Sequence, residues 1–67
     1  MNISKLRGKI VESGYTQEKL AAEISMNKST FSRKMKSNAL EFFVGEMHRI
    51  VAALNLSAED AVDIFLT

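Results

Sequence analysis

Apolar residues recur along this chain at intervals of three and four, and nowhere in strict alternation, so the pattern predicts helices throughout and no strands. Ile3, Leu6 and Ile10 form one such stripe, which stops at Ser13-Gly14, where glycine accepts the left-handed conformation that closes a helix. Thr16 is a good N-cap for a second helix with Leu20, Ala21 and Ile24 on its buried side. Only Ser25-Met26-Asn27 then intervenes before a third helix, capped by Asn27 and running from 28 to about 36. Ser37 and Asn38 end it, and 39 to 42 form a connection. A fourth helix is expected over 44 to 54, with Val44, Met47, Ile50, Val51 and Leu54 as its stripe. Its start is unusual, because Phe43 stands where an oxygen-bearing cap is preferred. Glu46 is placed to reach back to the Phe43 amide, and Phe42 to staple onto Met47. Asn55 closes this helix. Ser57 with Asp60 opens a short fifth one, expected to carry Ala61, Val62 and Phe65 inward, with Ile64 and Leu66 covering the core or an interface.

Five short helices in 67 residues make a single all-α domain spanning 1–67. A chain this short buries only about 60% of the surface its unfolded form exposes. Its 46% hydrophobic content, including four phenylalanines, suffices for a small core. Cysteine is absent, which excludes disulfides and thiolate metal sites and fits a reducing cytoplasm. The charged N-terminal segment excludes a signal peptide, and no apolar run approaches the roughly 20 residues of a membrane span, so the expected location is cytoplasmic with no membrane partner.

Net charge is only +1, but its distribution is uneven. Residues 1 to 40 carry eight Lys or Arg against Glu12, Glu18 and Glu23, a balance of +5; residues 41 to 67 carry Arg49 against five acids, a balance of −4. Such an asymmetry predicts one pole that approaches a polyanion and another that turns away. The basic residues concentrate in Met-Asn-Lys-Ser-Thr-Phe-Ser-Arg-Lys-Met-Lys, 26 to 36, and no acidic residue occurs between 24 and 40.

Within the third helix, Phe31 and Met35 fall on one side, whereas Ser29, Ser32, Arg33 and Lys36 follow i, i+3, i+4, i+7 on the other. The outward composition suits a DNA major groove. Arginine presents a rigid fork that bonds guanine O6 and N7 together, serine reaches either kind of base edge, and flanking lysines neutralise phosphates. Two short helices joined by a three-residue turn are also the geometric core of a helix-turn-helix, although any small helical bundle can contain such a pair.

The segment Thr16 to Asn38, TQEKLAAEISMNKSTFSRKMKSN, resembles the helix-turn-helix of the Cro and phage-repressor (XRE-like) family. The likeness rests on Gln17, Leu20, Ala21, Ile24 and Phe31 at the family's spacing, and the five-helix plan extends it across nearly the whole chain, most closely toward the very small phage-type members. It implies a compact lambda-repressor-like fold with the helix-turn-helix at helices two and three, and a transcriptional regulator of phage or prophage type acting on double-stranded DNA. By the same resemblance, Lys28, Ser29, Ser32 and Arg33 occupy base-facing positions. Gln17, Asn27, Lys34, Lys36 and Asn38 lie where phosphate contacts are usual. Two departures stand out: Ser25 occupies the turn position usually held by glycine, and Met35 follows Phe31 one position later than in the family pattern.

Other classes fit less well. His48 is the only histidine and is expected at the edge of the fourth helix's stripe, partly exposed; Gly8, Gly14 and Gly45 are isolated, so no phosphate-cradling loop exists. No triad or metal set suggests itself, and neither enzymatic activity, a cofactor nor a small-molecule substrate is expected. The competing expectation is a protein-interaction module, an antitoxin or a phage modulator, whose basic face docks an acidic partner. A single short helix reads few base pairs, so a regulator of this size is expected to work as a homodimer on a pseudo-palindromic site, with Phe65 and Leu66 as candidate contacts.

Overall fold

In the computed structural model, which describes residues 1–37 and 42–66, five helices follow one another: α1 Ile3–Glu12, α2 Gln17–Glu23, α3 Lys28–Lys36, α4 Val44–Leu54 and α5 Ala58–Phe65. Among the described residues none of these is long and apolar enough to cross a membrane. Four of the five begin on a side chain that relieves an orphan amide: Asn2 Oδ1 accepts from Lys5 N–H, Thr16 Oγ1 from Lys19, Asn27 Oδ1 from Ser29 and Ser57 Oγ from Asp60. Phenylalanine has no acceptor to offer, so at α4 the arrangement is half-made: Glu46 Oε1 accepts from Phe43 N–H at 2.9 Å.

Three helices end alike. Gly14 (φ 79°), Ser25 (φ 61°) and Asn55 (φ 52°) each adopt the left-handed conformation. In each case the left-handed residue and its successor donate back into the last turn: Gly14 to Val11 and Tyr15 to Ile10, Ser25 to Ala22 and Met26 to Ala21, Asn55 to Ala52 and Leu56 to Val51. Tyr15, Met26 and Leu56 then tuck partly under the core. The stop is thus defined by the hydrogen bonds and the apolar residue that follows, which is how Ser25 holds a conformation that costs an ordinary L-residue about 1–2 kcal/mol.

The core draws on all five helices: Leu6 and Ile10, Leu20, Ala21 and Ile24, Phe31 and Met35, Ile50 and Leu54, Ile64 and Phe65, with Phe42 entering from the segment before α4. Phe42 meets Phe31 with ring centroids 5.6 Å apart and planes tilted by 59°. Two apolar positions differ from expectation. Val62 is exposed, whereas Ile64 is completely buried. In α5 the i, i+3, i+4 set is Ala61, Ile64 and Phe65, and Val62 falls a step of about 100° away from it. Val44 likewise stands exposed at the first position of α4, where the stripe runs beyond the cover of the other helices. The expected helix-ending role of Asn38, and most of the 39–42 connection, lie outside the described residues.

The charge poles are less separate in space than along the chain, because α1 and α5 pack together and pair their charges. Lys5 Nζ lies 2.8 Å from Asp63 Oδ2 and 3.2 Å from Asp60 Oδ1, and Lys9 Nζ lies 3.2 Å from Asp60 Oδ2. Hydrogen bonds from Lys9 and then Lys5 hold the Asp60 carboxyl below its ordinary value. At Glu46 burial pushes the carboxyl up, but the hydrogen bonds from Lys34 and the Phe43 amide, with the charges of Lys34 and Arg49, outweigh it and the net shift is downward. A depressed folded pKa means stability that is complete above the ordinary values of 3.8 and 4.5 and lost as pH falls through the folded values. Thermal melts from pH 7 to pH 2 should therefore show a flat midpoint down to about pH 4.5 and a steady fall below it. A midpoint unchanged at pH 2 would contradict this role for Asp60 and Glu46.

Candidate nucleic-acid interface

α3 has nine residues, about 13.5 Å of helix, and with its side chains is about 10–12 Å across, a diameter that the ~12 Å major groove of B-DNA admits. Its seat is set by α2. Leu20, Ala21 and Ile24 are buried on the α2 side, Phe31 and Met35 press into the core from the α3 side, and the two helices pack against each other. Arg49 from α4 braces the turn, donating from Nη1 to the Ile24 carbonyl at 3.4 Å.

With that seat fixed, Lys28, Ser29, Ser32, Arg33 and Lys36 come together as the lining of one shallow, open depression along the outer face of α3. These are the four expected base-facing residues plus one of the expected phosphate contacts. Among the described residues no carboxylate lines the depression. Lys28 Nζ does lie 3.2 Å from Glu18 Oε2 on α2, but both side chains are largely exposed, and such pairs are worth about 0–1 kcal/mol. Lys28 can therefore trade Glu18 for an anion at little cost. What the face offers is a set of hydroxyls, ammoniums and a guanidinium, a donor-rich surface suited to anionic and base-edge acceptors.

Lys34 departs from its expected place among the phosphate contacts. It is 5% exposed, and its Nζ is 2.7 Å from Glu46 Oε1, with the Phe43 ring centroid at 4.6 Å and that of Phe42 at 5.8 Å. The correction has a simple geometric cause: Lys34 is three residues after Phe31 and one before Met35, which puts it on the inward face. A buried ammonium must be paired. Glu46 supplies the pairing while its same oxygen caps the start of α4, so one carboxylate ties α3 to α4.

The remaining expected contacts are distributed as follows. Gln17 is exposed at the first position of α2, in a depression it shares with Arg7, Tyr15 and Thr16. Arg7 carried no signal in the sequence beyond lying on the polar side of α1; it becomes a candidate phosphate contact only because the α1–α2 turn brings it beside Gln17. Asn27 is exposed, its Oδ1 occupied at 2.8 Å by the Ser29 amide, which leaves its side-chain NH2 facing outward as a donor. Asn38 lies outside the described residues. His48 is exposed on α4, next to the core-facing stripe, as expected.

Comparison with protein-family models, with curated proteins and with solved structures finds no match to this chain.

Proposed function

We propose that the protein is a sequence-specific double-stranded DNA-binding transcriptional regulator of the Cro and phage-repressor type, working in the cytoplasm, with α2 and α3 as its helix-turn-helix. The observation that carries this is the division of α3 into two faces. Phe31, Lys34 and Met35 are spent on the core, and Lys28, Ser29, Ser32, Arg33 and Lys36 share one open depression that, among the described residues, no carboxylate lines.

In this mechanism α3 enters the major groove. Arg33 forks onto a guanine edge, with Ser29, Ser32 and Lys28 on neighbouring base edges. Lys36, Asn27, Gln17 and Arg7 hold the backbone on either side, the last two from the α1–α2 end. Phosphate contacts set register and base contacts set sequence, so the two groups should fail differently when removed. Arg33→Ala is expected to lose about 1–3 kcal/mol and relax preference at one base position, whereas Lys36→Ala weakens binding to all sequences alike. Binding curves against a panel of single-base variants of one bound duplex check this; equal, sequence-independent losses for both substitutions would remove Arg33 from its base-reading role.

Two copies on a pseudo-palindrome, with recognition helices about 34 Å apart, would read enough sequence to find a promoter and exclude polymerase from it. Titration of duplex DNA across salt concentrations tests the proposal at its base. Contact with about four to six phosphates per protomer predicts a slope of log K against log salt near −0.9 per phosphate. No binding to duplex DNA at low salt would overturn the regulator and leave the basic face to an acidic protein partner.

A further inference from the structure

We infer that α4 sets the aim of α3, and that Arg49 is a positioning residue which governs sequence discrimination without touching the duplex. Glu46 and Arg49 stand three residues apart on α4, neighbours on one face of that helix. Glu46 holds the body of α3 through Lys34, at 2.7 Å. Arg49 holds the entry to α3, donating from Nη1 to the Ile24 carbonyl at 3.4 Å. A helix outside the helix-turn-helix thus grips the recognition helix at two points.

The second grip matters because of what it holds. Ile24 closes α2, where carbonyls have no amide of their own helix to accept, and the residue is 2% exposed. A buried acceptor left unpaired is costly, so the guanidinium fixes where this carbonyl points. The next residue is Ser25, left-handed at φ 61°, and Asn27 then caps α3. Only Ser25, Met26 and Asn27 separate the anchored carbonyl from Lys28, so a rotation of the Ile24 peptide is passed directly to α3. Charge keeps the guanidinium near its place: Glu23 on α2 lines the same shallow depression as Arg49, and Glu46 lies one turn away on α4.

Loss of aim falls on discrimination first. α3 is about 13.5 Å long, so a tilt of about 10° at its entry carries the far end by about 2 Å. Hydrogen bonds to base edges hold only between about 2.7 and 3.2 Å, and the rigid fork of Arg33 must meet two acceptors together. Lys36 follows a phosphate on a flexible stem and keeps its contact. The consequence for DNA rests on the regulator proposal; the hold on α3 does not.

Arg49→Met tests it through two measurements. Residual dipolar couplings of the backbone amides in the free protein are expected to fit the native arrangement over α1, α4 and α5 and to place the α3 axis tilted away from it, with a melting midpoint within about 5 °C of native. Binding to a duplex recovered by selection from random sequence, and to its single-base variants, is expected to show discrimination at the base facing Arg33 reduced at least about threefold, out of the roughly 5–150-fold that a bidentate contact supplies, with the salt slope unchanged. Couplings of α3 that fit the native arrangement, or discrimination equal to that of the native chain, would overturn the inference. So would a salt slope smaller by about one, which would make Arg49 a phosphate contact. A native chain that binds no duplex, with α3 tilted in Arg49→Met, would sink the regulator and leave the hold on α3 standing.

Discussion

Phe31→Ala is expected to remove a large share of the chain's stability and to lower its melting midpoint by more than Arg33→Ala, Lys34→Ala or Lys36→Ala. Phe31 is among the most completely buried side chains, tilted against Phe42, and with Met35 it holds α3 to the core. Truncating a buried phenylalanine costs about 3–5 kcal/mol. At about 0.05–0.15 kcal/mol per residue, a chain of 67 residues holds only about 3–10 kcal/mol in all. Circular dichroism melts give the readout: with a shift of about 4–8 °C per kcal/mol for domains of this size, the midpoint should fall by at least about 12 °C. A fall below about 5 °C would mean that α3 is held mainly by something other than Phe31. Any loss of DNA binding by this variant is then a folding effect, which separates it from Arg33→Ala.

Lys34 should behave as a core residue although it is charged. Lys34→Ala removes a buried side chain whose ammonium lies over the Phe42 and Phe43 rings, and it leaves the partly buried Glu46 carboxylate without that ammonium. Breaking one member of a buried pair costs about 3–5 kcal/mol, and the partial exposure of Glu46 places this pair toward the lower figure. Lys36→Ala, two residues on and exposed, should change stability by no more than about 0.5 kcal/mol. Urea melts of Lys34→Met, Glu46→Gln and the double variant measure the coupling. The double variant should be less destabilised than the sum of the singles, because it removes both charges together. A second readout concerns function: Lys34→Met should leave the salt slope of DNA binding unchanged, and a slope smaller by about one would restore Lys34 to the phosphate contacts.

Helix existence was readable from local signals because each helix carries its own: a capping side chain at Thr16, Asn27 and Ser57, a three-and-four apolar stripe, and Gly14 or Asn55 at the stop. The outward stripe of α3 was readable for the same reason, since Ser29, Ser32, Arg33 and Lys36 lie within one helix whose inner face Phe31 and Met35 declare. Lys34 was misplaced although its spacing from Phe31 was correct for burial. Its charge argued for solvent, and the carboxylate that makes burial tolerable is twelve residues away on α4. Val62, expected inward, is exposed, while Ile64 fills the core, one of its two expected places: on a short helix the two differ only by rotation, and packing against α1 decides it. The Asn2 amide, which donates to the Ile64 carbonyl at 2.8 Å, is part of that decision and has no counterpart in local sequence. Arg7 joined the interface through the α1–α2 turn, a relation between helices that no single stripe encodes.

Selection of bound sites from random duplex DNA, run in parallel on the native chain and on Arg33→Ala, asks most directly whether α3 reads sequence. A DNA-reading α3 yields an enriched, two-fold symmetric motif with half-sites one helical turn apart, and loss of preference at one position per half-site when Arg33 is removed. Recovery of sequences indistinguishable from the starting pool, from a folded native chain at low salt, would contradict it.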